Sequence, residues 1–173
     1  MNITRAILAL SVVAIALRAR SASNSNAADT GATHLRYPNS DGANRNCDPA
    51  GCGHYGAPRG SRKHSGHDFL VSPGQTIVSP IQGYVRRFAY PYGDDLRWKG
   101  LLIIGEGPHQ GLAVKMFYFQ PSVSSGTQVV PGQVIGKAQD IAAKYPGSRM
   151  QPHVHLEIEK DGQRVNPLPF FQN

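Results

Sequence analysis

Glycine and proline divide this chain into short segments, and that division most limits the folds it can form. The 173 residues include 19 glycines and 13 prolines. Between them lie runs rich in Val, Ile, Tyr and Phe, which are typical of β-strands. The predicted strands cover residues 68–71, 76–79, 83–90, 100–104, 112–119, 133–137 and 153–159. Only residues 138–145 have a helical pattern, which Pro146-Gly147 ends. The sequence therefore predicts a mainly β fold, with antiparallel sheets packed on each other and one short helix or helical turn.

The first 23 residues have the pattern of a secretory signal peptide. Arg5 precedes an apolar run over residues 6–17, and Ser21-Ala22-Ser23 offers the small residues that signal peptidase accepts. This run is shorter than the ~20 residues that a membrane-spanning helix needs, although a membrane anchor is the alternative. We expect a secreted protein without a membrane span. It would consist of a signal peptide over residues 1–23, a flexible polar leader over 24–45 and one domain over 46–173.

The charge of the chain is modest and scattered. The formal net charge is +7, and the first 23 residues contribute three arginines and no acid, which leaves +4. Arg62-Lys63 and Arg86-Arg87 are the only adjacent basic pairs after the leader. Because nucleic-acid-binding domains usually have a denser basic patch, we do not expect a nucleic-acid partner.

The two cysteines, Cys47 and Cys52, are separated by Asp48-Pro49-Ala50-Gly51. In a secreted chain a single pair is most simply a disulfide, and the intervening proline and glycine favour the tight turn that it needs. A metal site is the alternative, but no second cysteine pair is present. We predict a disulfide that fixes a local turn.

Residues 153–159 alternate between polar and apolar side chains. The apolar ones are predicted to face the core, while His153, His155 and Glu157 share the opposite face. Side chains two residues apart on a strand are separated by ~6.5–7 Å. One histidine can therefore bind a metal ion while the other lies beside it. The alternative is an ordinary polar sheet face.

A second cluster of potential ligands is His64-Ser65-Gly66-His67-Asp68. A glycine lets the backbone curl, so that His64 and Asp68 can point at one centre. His67 competes as a ligand, but neighbours in extended backbone point to opposite faces, so binding by Asp68 disfavours His67. Two histidines and one carboxylate are a common zinc-binding set with a coordination position left open. A polar surface loop is the alternative.

Four motifs resemble those of the lysostaphin-type (LytM-like) zinc endopeptidases. They are His64-x-Gly66-x-Asp68-Phe69, Ser79-Pro80-Ile81-Gln82-Gly83-Tyr84-Val85, Val130-Pro131-Gly132-Gln133-Val134-Ile135-Gly136 and Pro152-His153-x-His155-x-Glu157. The resemblance covers residues 61–159. Residues 47–55, 115–121 and 145–147 also resemble the leukocyte cell-derived chemotaxins, a secreted animal family built on the same fold. This chain has one cysteine pair where that family usually has more.

The resemblance implies an antiparallel β-sandwich of the lysostaphin (duplicated hybrid motif) type, with Zn²⁺ bound by His64, Asp68 and His155. His153 corresponds to a histidine that helps to activate the attacking water. The peptidases have a further catalytic histidine on the strand before residues 130–136. Here Phe117 or Tyr118 stands at that place, and no histidine occurs between residues 109 and 153. A tyrosine hydroxyl can donate a hydrogen bond to an oxyanion, but with a pKa of ~10 it is a poor base.

We therefore expect a secreted, zinc-binding, chemotaxin-like protein that is non-catalytic and acts in extracellular defence or signalling. Its expected partner is an extracellular protein receptor or a bacterial cell-wall peptide or glycan. One alternative is an active zinc endopeptidase that cleaves peptide crosslinks of peptidoglycan. The other is a glycan- or peptidoglycan-binding module that does not cut.

Overall fold

Short β-strands dominate the computed structural model, which describes residues 34–171. The predicted signal peptide over residues 1–23 lies outside this range. The strands are β1 Cys47–Asp48, β2 Gly51–Cys52, β3 Pro58–Arg59, β4 Arg62–Lys63, β5 His67–Leu70, β6 Thr76–Val78, β7 Gly83–Ala89, β8 Gly100–Gly105, β9 Leu112–Phe117, β10 Phe119–Pro121, β11 Gln128–Val129, β12 Val134–Ala138, β13 His153–Lys160 and β14 Gln163–Val165. Three 3₁₀ helices cover Gly107–His109, Ile141–Lys144 and Leu168–Phe170. None of the helices within residues 34–171 is long and apolar enough to cross a membrane.

The main sheet has seven strands and is antiparallel throughout. Its order is β11-β7-β8-β9-β13-β14, and β5 also pairs with β13. The first half of β13 pairs with β5 and its last three residues pair with β14. Strand β9 pairs with residues 155–160 along the other edge. Strand β13 is therefore held along both edges, which fixes the directions of its side chains.

A smaller sheet, in the order β10-β12-β6, supplies the other side of the hydrophobic core. Residues of both sheets belong to a single buried cluster. The main sheet contributes Val85, Leu101, Ile103, Val114, Met116, Leu156 and Ile158, and the smaller sheet contributes Ile77, Phe119 and Ile135. This arrangement confirms the predicted mainly β fold with antiparallel sheets.

Two predicted elements differ in detail from the structure. The strand predicted over residues 112–119 is interrupted at Tyr118, whose φ is 71°. The helix or helical turn predicted over 138–145 is a single 3₁₀ turn at Ile141–Lys144. It begins later than predicted, because residue 138 still belongs to β12. The predicted disulfide is confirmed, and it joins Cys47 to Cys52 across the β1–β2 ribbon.

The predicted flexible leader over residues 24–45 is wrong from His34 onward. Leu35 is 4% exposed, and its backbone N–H donates to the carbonyl of Phe170 at 2.8 Å. The ring of Tyr37 stacks on Phe171 at 5.1 Å and meets the edge of Phe69 at 5.9 Å. The segment has few apolar residues, but these few cover one end of the core. The mainly polar composition of the segment therefore wrongly suggested that none of it packs on the domain.

We expect Leu35→Ala to lower the free energy of unfolding by about 2–5 kcal/mol, because it removes a buried side chain from the core. The matched control is Leu96→Ala, since Leu96 is 57% exposed and its loss should cost less than about 0.5 kcal/mol. Urea titration of both variants measures the difference. Equal stabilities of the two variants would show that the segment before Arg45 does not pack on the domain.

Candidate metal centre

Three side chains from distant parts of the sequence meet on one face of the main sheet. The register of β5 and β13 sets Asp68 directly opposite His155, so both side chains project from the same face. His64, which lies just after β4, reaches the same point. Asp68 Oδ1 is 2.9 Å from His155 Nδ1 and 3.3 Å from His64 Nε2, and the two nitrogens are 3.0 Å apart. The structure therefore brings together the three residues that the resemblance implied as zinc ligands.

The remaining nitrogen of each imidazole is already engaged as a donor. His64 Nδ1–H donates to the backbone carbonyl of His54 at 2.9 Å, and His155 Nε2–H donates to Glu157 Oε1 at 3.3 Å. In the neutral tautomers this leaves lone pairs on His64 Nε2 and His155 Nδ1. Two lone pairs and a carboxylate oxygen then face one another, so such a set of acceptors needs either a shared proton or a metal cation between them.

The spacing of these atoms fits a tetrahedral metal ion. Ligand atoms at 2.0–2.2 Å from tetrahedral zinc lie about 3.3–3.6 Å from one another. Two of the observed distances, 2.9 and 3.0 Å, are slightly shorter than this, and the third, 3.3 Å, lies at the lower limit. A small outward movement of the side chains would therefore accommodate the ion. The hydrogen bonds from His64 to the carbonyl of His54 and from His155 to Glu157 are also of the kind that orients histidine ligands of metals.

The electrostatics of the buried cluster favour positive charge at its centre. Burial alone would raise the pKa of Asp68, but hydrogen bonds with His155 and His64 lower this pKa well below its ordinary value. Burial alone would lower the pKa of His155, yet its contacts with Asp68 and Glu157 raise it. The carboxylate thus stays ionised and stabilises a cation beside it.

Arg45, which no sequence pattern indicated, holds the outer oxygen of Asp68. Its Nη1 donates to Asp68 Oδ2 at 2.8 Å, which leaves Oδ1 directed at the imidazoles. The guanidinium is buried and also pairs with Asp48. Nothing in the local sequence pattern marks Arg45, because its partner lies 23 residues away.

Glu157 orients His155 and belongs to a second buried network. It accepts hydrogen bonds from Ser65 Oγ at 2.6 Å and Lys115 Nζ at 2.7 Å, besides that from His155. Burial would raise the pKa of Glu157, but these donors together lower it, so the carboxylate remains charged. The alternation of residues 153–159 had put Glu157 on the face of the histidines without indicating this role.

His153 lies beside the cluster, as the spacing along β13 predicts. Its Nε2 is 3.6 Å from Asp68 Oδ2, and its Nδ1–H donates to the carbonyl of Gln151 at 2.7 Å. Burial lowers the pKa of His153, so the neutral form with a lone pair on Nε2 is favoured. This imidazole faces the cleft without belonging to the group of three.

Phe117 and Tyr118 both line the cleft at the end of β9. In an extended strand these neighbours would point to opposite faces, but the left-handed conformation of Tyr118 breaks the alternation. Phe117 lies opposite His155 in the register, and the two rings stack at 5.8 Å. The Tyr118 ring meets the edge of His153 at 5.3 Å. Left-handed backbone at such a residue costs about 1–3 kcal/mol and often marks a functional site.

Gly66 is required by close approach and not by an unusual backbone angle. A Cβ atom at this position would come within 2.8 Å of the His155 ring and would collide with the carbonyl of Leu156. The expected curl of the backbone is therefore not the reason for the glycine, since Gly66 has no positive φ. His67 points away from the cluster, and its Nε2–H donates to Asn44 Oδ1 at 2.7 Å.

The cluster forms part of the floor of a cleft of about 410 Å³. Its lining includes the exposed cations Arg62 and Lys63 together with Arg59. It also includes tyrosines, of which Tyr92 and Tyr145 share a hydrogen bond of 2.8 Å between their hydroxyls. A second group of potential ligands, Cys47, Cys52 and His54, is not available to a metal while its cysteines form the disulfide.

The fold matches solved structures of lysostaphin-type proteins. A zinc-containing peptidase from Vibrio cholerae superposes with a TM-score of 0.56 at 22% identity, over 82% of this chain and 40% of that one. Lysostaphin superposes with a TM-score of 0.53 at 19% identity, over 75% of this chain and 54% of that one. The chain thus spans about half or less of these longer proteins. At such identities the likeness establishes the fold alone.

The family follows from closer matches. Leukocyte cell-derived chemotaxin-2 of Bos taurus is 34% identical over 113 residues, which cover 65% of this chain and 71% of that protein. Residues 62–167 match the family model described as Peptidase family M23. This family is metal-dependent, and the described residues contain a group of side chains that can bind a metal ion. The chain therefore belongs to peptidase family M23, and within it the chain is a homologue of the leukocyte cell-derived chemotaxins on a lysostaphin-type fold.

Proposed function

We propose that this chain is a secreted zinc-binding protein that uses a peptidase fold to bind an extracellular partner, with little or no peptidase activity. The observation that carries this proposal is the composition of the cleft. Among the described residues, its lining has three side chains that could hold a metal ion and one further histidine, and Phe117 and Tyr118 also line it.

Zinc is the metal that fits the donor set best. Two imidazole nitrogens and one carboxylate oxygen with an open position form a common zinc site. His64, Asp68 and His155 would hold the ion, with Glu157 and Arg45 behind them. A zinc ion held there would act as a Lewis acid towards a carbonyl or carboxylate oxygen.

The side chains available for proton transfer are few. His153 is neutral and faces the cleft, so it can accept a proton. Burial raises the pKa of Tyr118, so its hydroxyl stays protonated and can donate a hydrogen bond to an oxyanion but is a poor base. The loss of one acid–base or oxyanion-stabilising group commonly reduces a rate by a factor on the order of 10²–10⁴. Catalysis by this set of residues would therefore be slow.

The walls of the cleft suit an anionic partner with flat or apolar groups. Arg62 and Lys63 are exposed and form no ion pair with the described residues. Tyr90, Tyr92 and Tyr145 also line the cleft and offer rings and hydroxyls. Such surfaces bind carboxylate-bearing peptides and the faces of sugar rings. The proposed partner is thus an extracellular protein receptor or a bacterial cell-wall peptide or glycan.

Secretion and a role in defence or signalling belong to the same proposal. A disulfide is typical of proteins that function in oxidising compartments, and the Cys47–Cys52 bridge agrees with the predicted signal peptide. The homology with the leukocyte cell-derived chemotaxins supports an extracellular role of this kind.

An active endopeptidase that cleaves peptidoglycan crosslinks is the second candidate function. It is favoured by His153, whose Nε2 lies only 3.6 Å from Asp68 Oδ2 and faces an open cleft. A binding module that recognises glycan or peptidoglycan without cutting is the third. The same cationic and aromatic walls favour it.

We expect His155→Ala to abolish stoichiometric zinc binding, because it removes one of three ligands. The matched control is His54→Ala, since the exposed His54 side chain takes no part in the group of three and its backbone carbonyl remains. Metal analysis after dialysis measures the zinc content. Chelation should also lower the melting temperature of the wild type but not that of His155→Ala. Stoichiometric zinc in the His155→Ala protein would show that the ligands are other residues.

We expect the zinc-loaded protein to leave the turbidity of a bacterial cell-wall suspension unchanged, and His153→Ala to behave identically. The reason is the absence of a second catalytic imidazole in the cleft. Lysostaphin serves as the positive control for clearing. Clearing by the wild type that is lost in His153→Ala would contradict the proposal and establish the endopeptidase.

We expect the double charge reversal of Arg62 and Lys63 to glutamate to weaken binding to sedimented cell walls roughly tenfold at low salt, because it reverses the charge of the cleft rim. The matched control reverses the exposed Arg36 and Arg86, which lie outside the cleft. Co-sedimentation at two salt concentrations measures both variants. Equal binding by the two variants would show that walls do not bind in the cleft, and no binding by the wild type would favour a protein receptor.

A further inference from the structure

The disulfide-closed loop, residues 47–52, lies directly beside the metal-binding carboxylate. The residues that flank this loop hold the backbone of Asp68 from both sides. The N–H of Arg45 donates to the carbonyl of Asp68 at 2.9 Å, and the N–H of Asp68 donates to the carbonyl of Gly53 at 2.9 Å. The position of Asp68 on β5 thus depends on the conformation of the chain on either side of the loop.

Within the loop, Asp48 accepts two hydrogen bonds from the guanidinium that also donates to Asp68. Arg45 Nε donates to Asp48 Oδ2 at 2.8 Å, and Arg45 Nη2 donates to Asp48 Oδ1 at 2.7 Å. The carbonyl of Gly51, also in the loop, accepts from Nη2 at 3.0 Å. Arg45 is only 3% exposed, so these partners replace its hydration. The loop thereby fixes the orientation of the guanidinium.

This orientation decides which oxygen of Asp68 is free. Because Nε and Nη2 are occupied by Asp48, only Nη1 reaches Asp68, and it contacts Oδ2. Oδ1 remains directed at His64 and His155. A guanidinium released from Asp48 can turn to pair with both oxygens of a carboxylate, which is its preferred geometry. It would then compete with a metal ion for Oδ1.

Asp48 also contacts the segment that leads into the second ligand strand. Its Oδ2 accepts a hydrogen bond from the N–H of Gln151 at 2.9 Å. Gln151 lies two residues before His153 at the start of β13, and its carbonyl orients the His153 ring. One carboxylate in the loop is therefore connected to both sides of the site.

We propose that the Cys47–Cys52 disulfide sets the metal affinity of the site through Asp48 and Arg45, so that reduction of this bond by a dithiol weakens zinc binding. This inference rests on the proposed zinc site. Cys47 is exposed and Cys52 is half-buried, so a reductant has access. The dithiol transfers two electrons and two protons; the S–S bond breaks, two thiols form on the protein and the donor closes to its own disulfide.

The test compares the zinc affinities of three variants with that of the oxidised wild type. One variant keeps the disulfide and two lack it. They are Asp48→Asn, the pair Cys47→Ala with Cys52→Ala, and the combination of all three changes. Alanine is used because reduced Cys47 and Cys52, together with His54, could themselves bind zinc. The matched control is Asp95→Asn, which breaks a bidentate pair with Arg97 away from the cluster. Affinity is measured by competition with a colorimetric chelator.

We expect Asp48→Asn and the double alanine variant each to bind zinc about 10–100-fold more weakly than the wild type, which is the usual effect of removing an outer-shell partner. The combined variant should bind zinc no more weakly than the weaker-binding of these two, because both changes interrupt the same connection from the disulfide through Asp48 and Arg45 to Asp68. Asp95→Asn should keep the wild-type affinity. Cobalt-loaded Asp48→Asn should also show an altered visible absorption spectrum, which a loss of stability alone would not produce.

Wild-type affinity in both Asp48→Asn and the double alanine variant would overturn the inference and leave the proposed zinc site intact. Fully additive losses would also overturn it, since the disulfide would then act by another route. If the double alanine variant fails to fold, Asp48→Asn with its intact disulfide decides the role of Asp48. The pair Cys47→Ser with Cys52→Ser, which likewise leaves no thiol, then decides the role of the bond. Absence of zinc from the oxidised wild type would overturn the zinc site itself.

Discussion

The pairing of β5 with the first half of β13 is the constraint on which the site depends. It sets Asp68 opposite His155 and directs both side chains to the same face. His64 then completes a group of three acceptors whose other polar atoms are already bonded to the protein. Buried acceptors that face one another are unfavourable without a cation. The fold therefore holds in place a cluster that a metal ion would stabilise.

Much of this arrangement follows from local sequence patterns. The alternation over residues 153–159 correctly predicted that His153, His155 and Glu157 share one face, because a strand has a period of two. The same rule correctly separated His67 from Asp68. The short runs between glycines and prolines predicted the main strands, since β-branched and aromatic residues with such boundaries have few other stable conformations.

The features that the sequence did not predict depend on contacts between distant segments. Arg45 lies in a polar stretch, and only the folded chain brings its guanidinium to Asp68 and Asp48. Leu35 and Tyr37 are too few to be recognised as core residues until they are seen against Phe69 and Phe171. The left-handed conformation of Tyr118 is unusual for an aromatic residue, so a continuous strand was the natural expectation. Family resemblance pointed to His64, Asp68 and His155, which the structure brings together, but not to the buried residues that orient them.

The site thus combines two properties that are separable in principle. Its three potential metal ligands are oriented by Glu157, Arg45 and the carbonyl of His54. Among the described residues that line the cleft, His153 is the one histidine outside that group, and Tyr118 lies beside it. We propose that this chain of peptidase family M23 keeps the metal, the cleft and the fold while its chemistry weakens, so that the cleft walls determine what it binds.

The most direct test of this account is anomalous diffraction at the zinc absorption edge from crystals of the protein purified without added chelator. We predict one peak at about 2.0–2.2 Å from His64 Nε2, Asp68 Oδ1 and His155 Nδ1. A peak coordinated by other residues would contradict the account. So would a map without any peak in which the three side chains keep their mutual contacts.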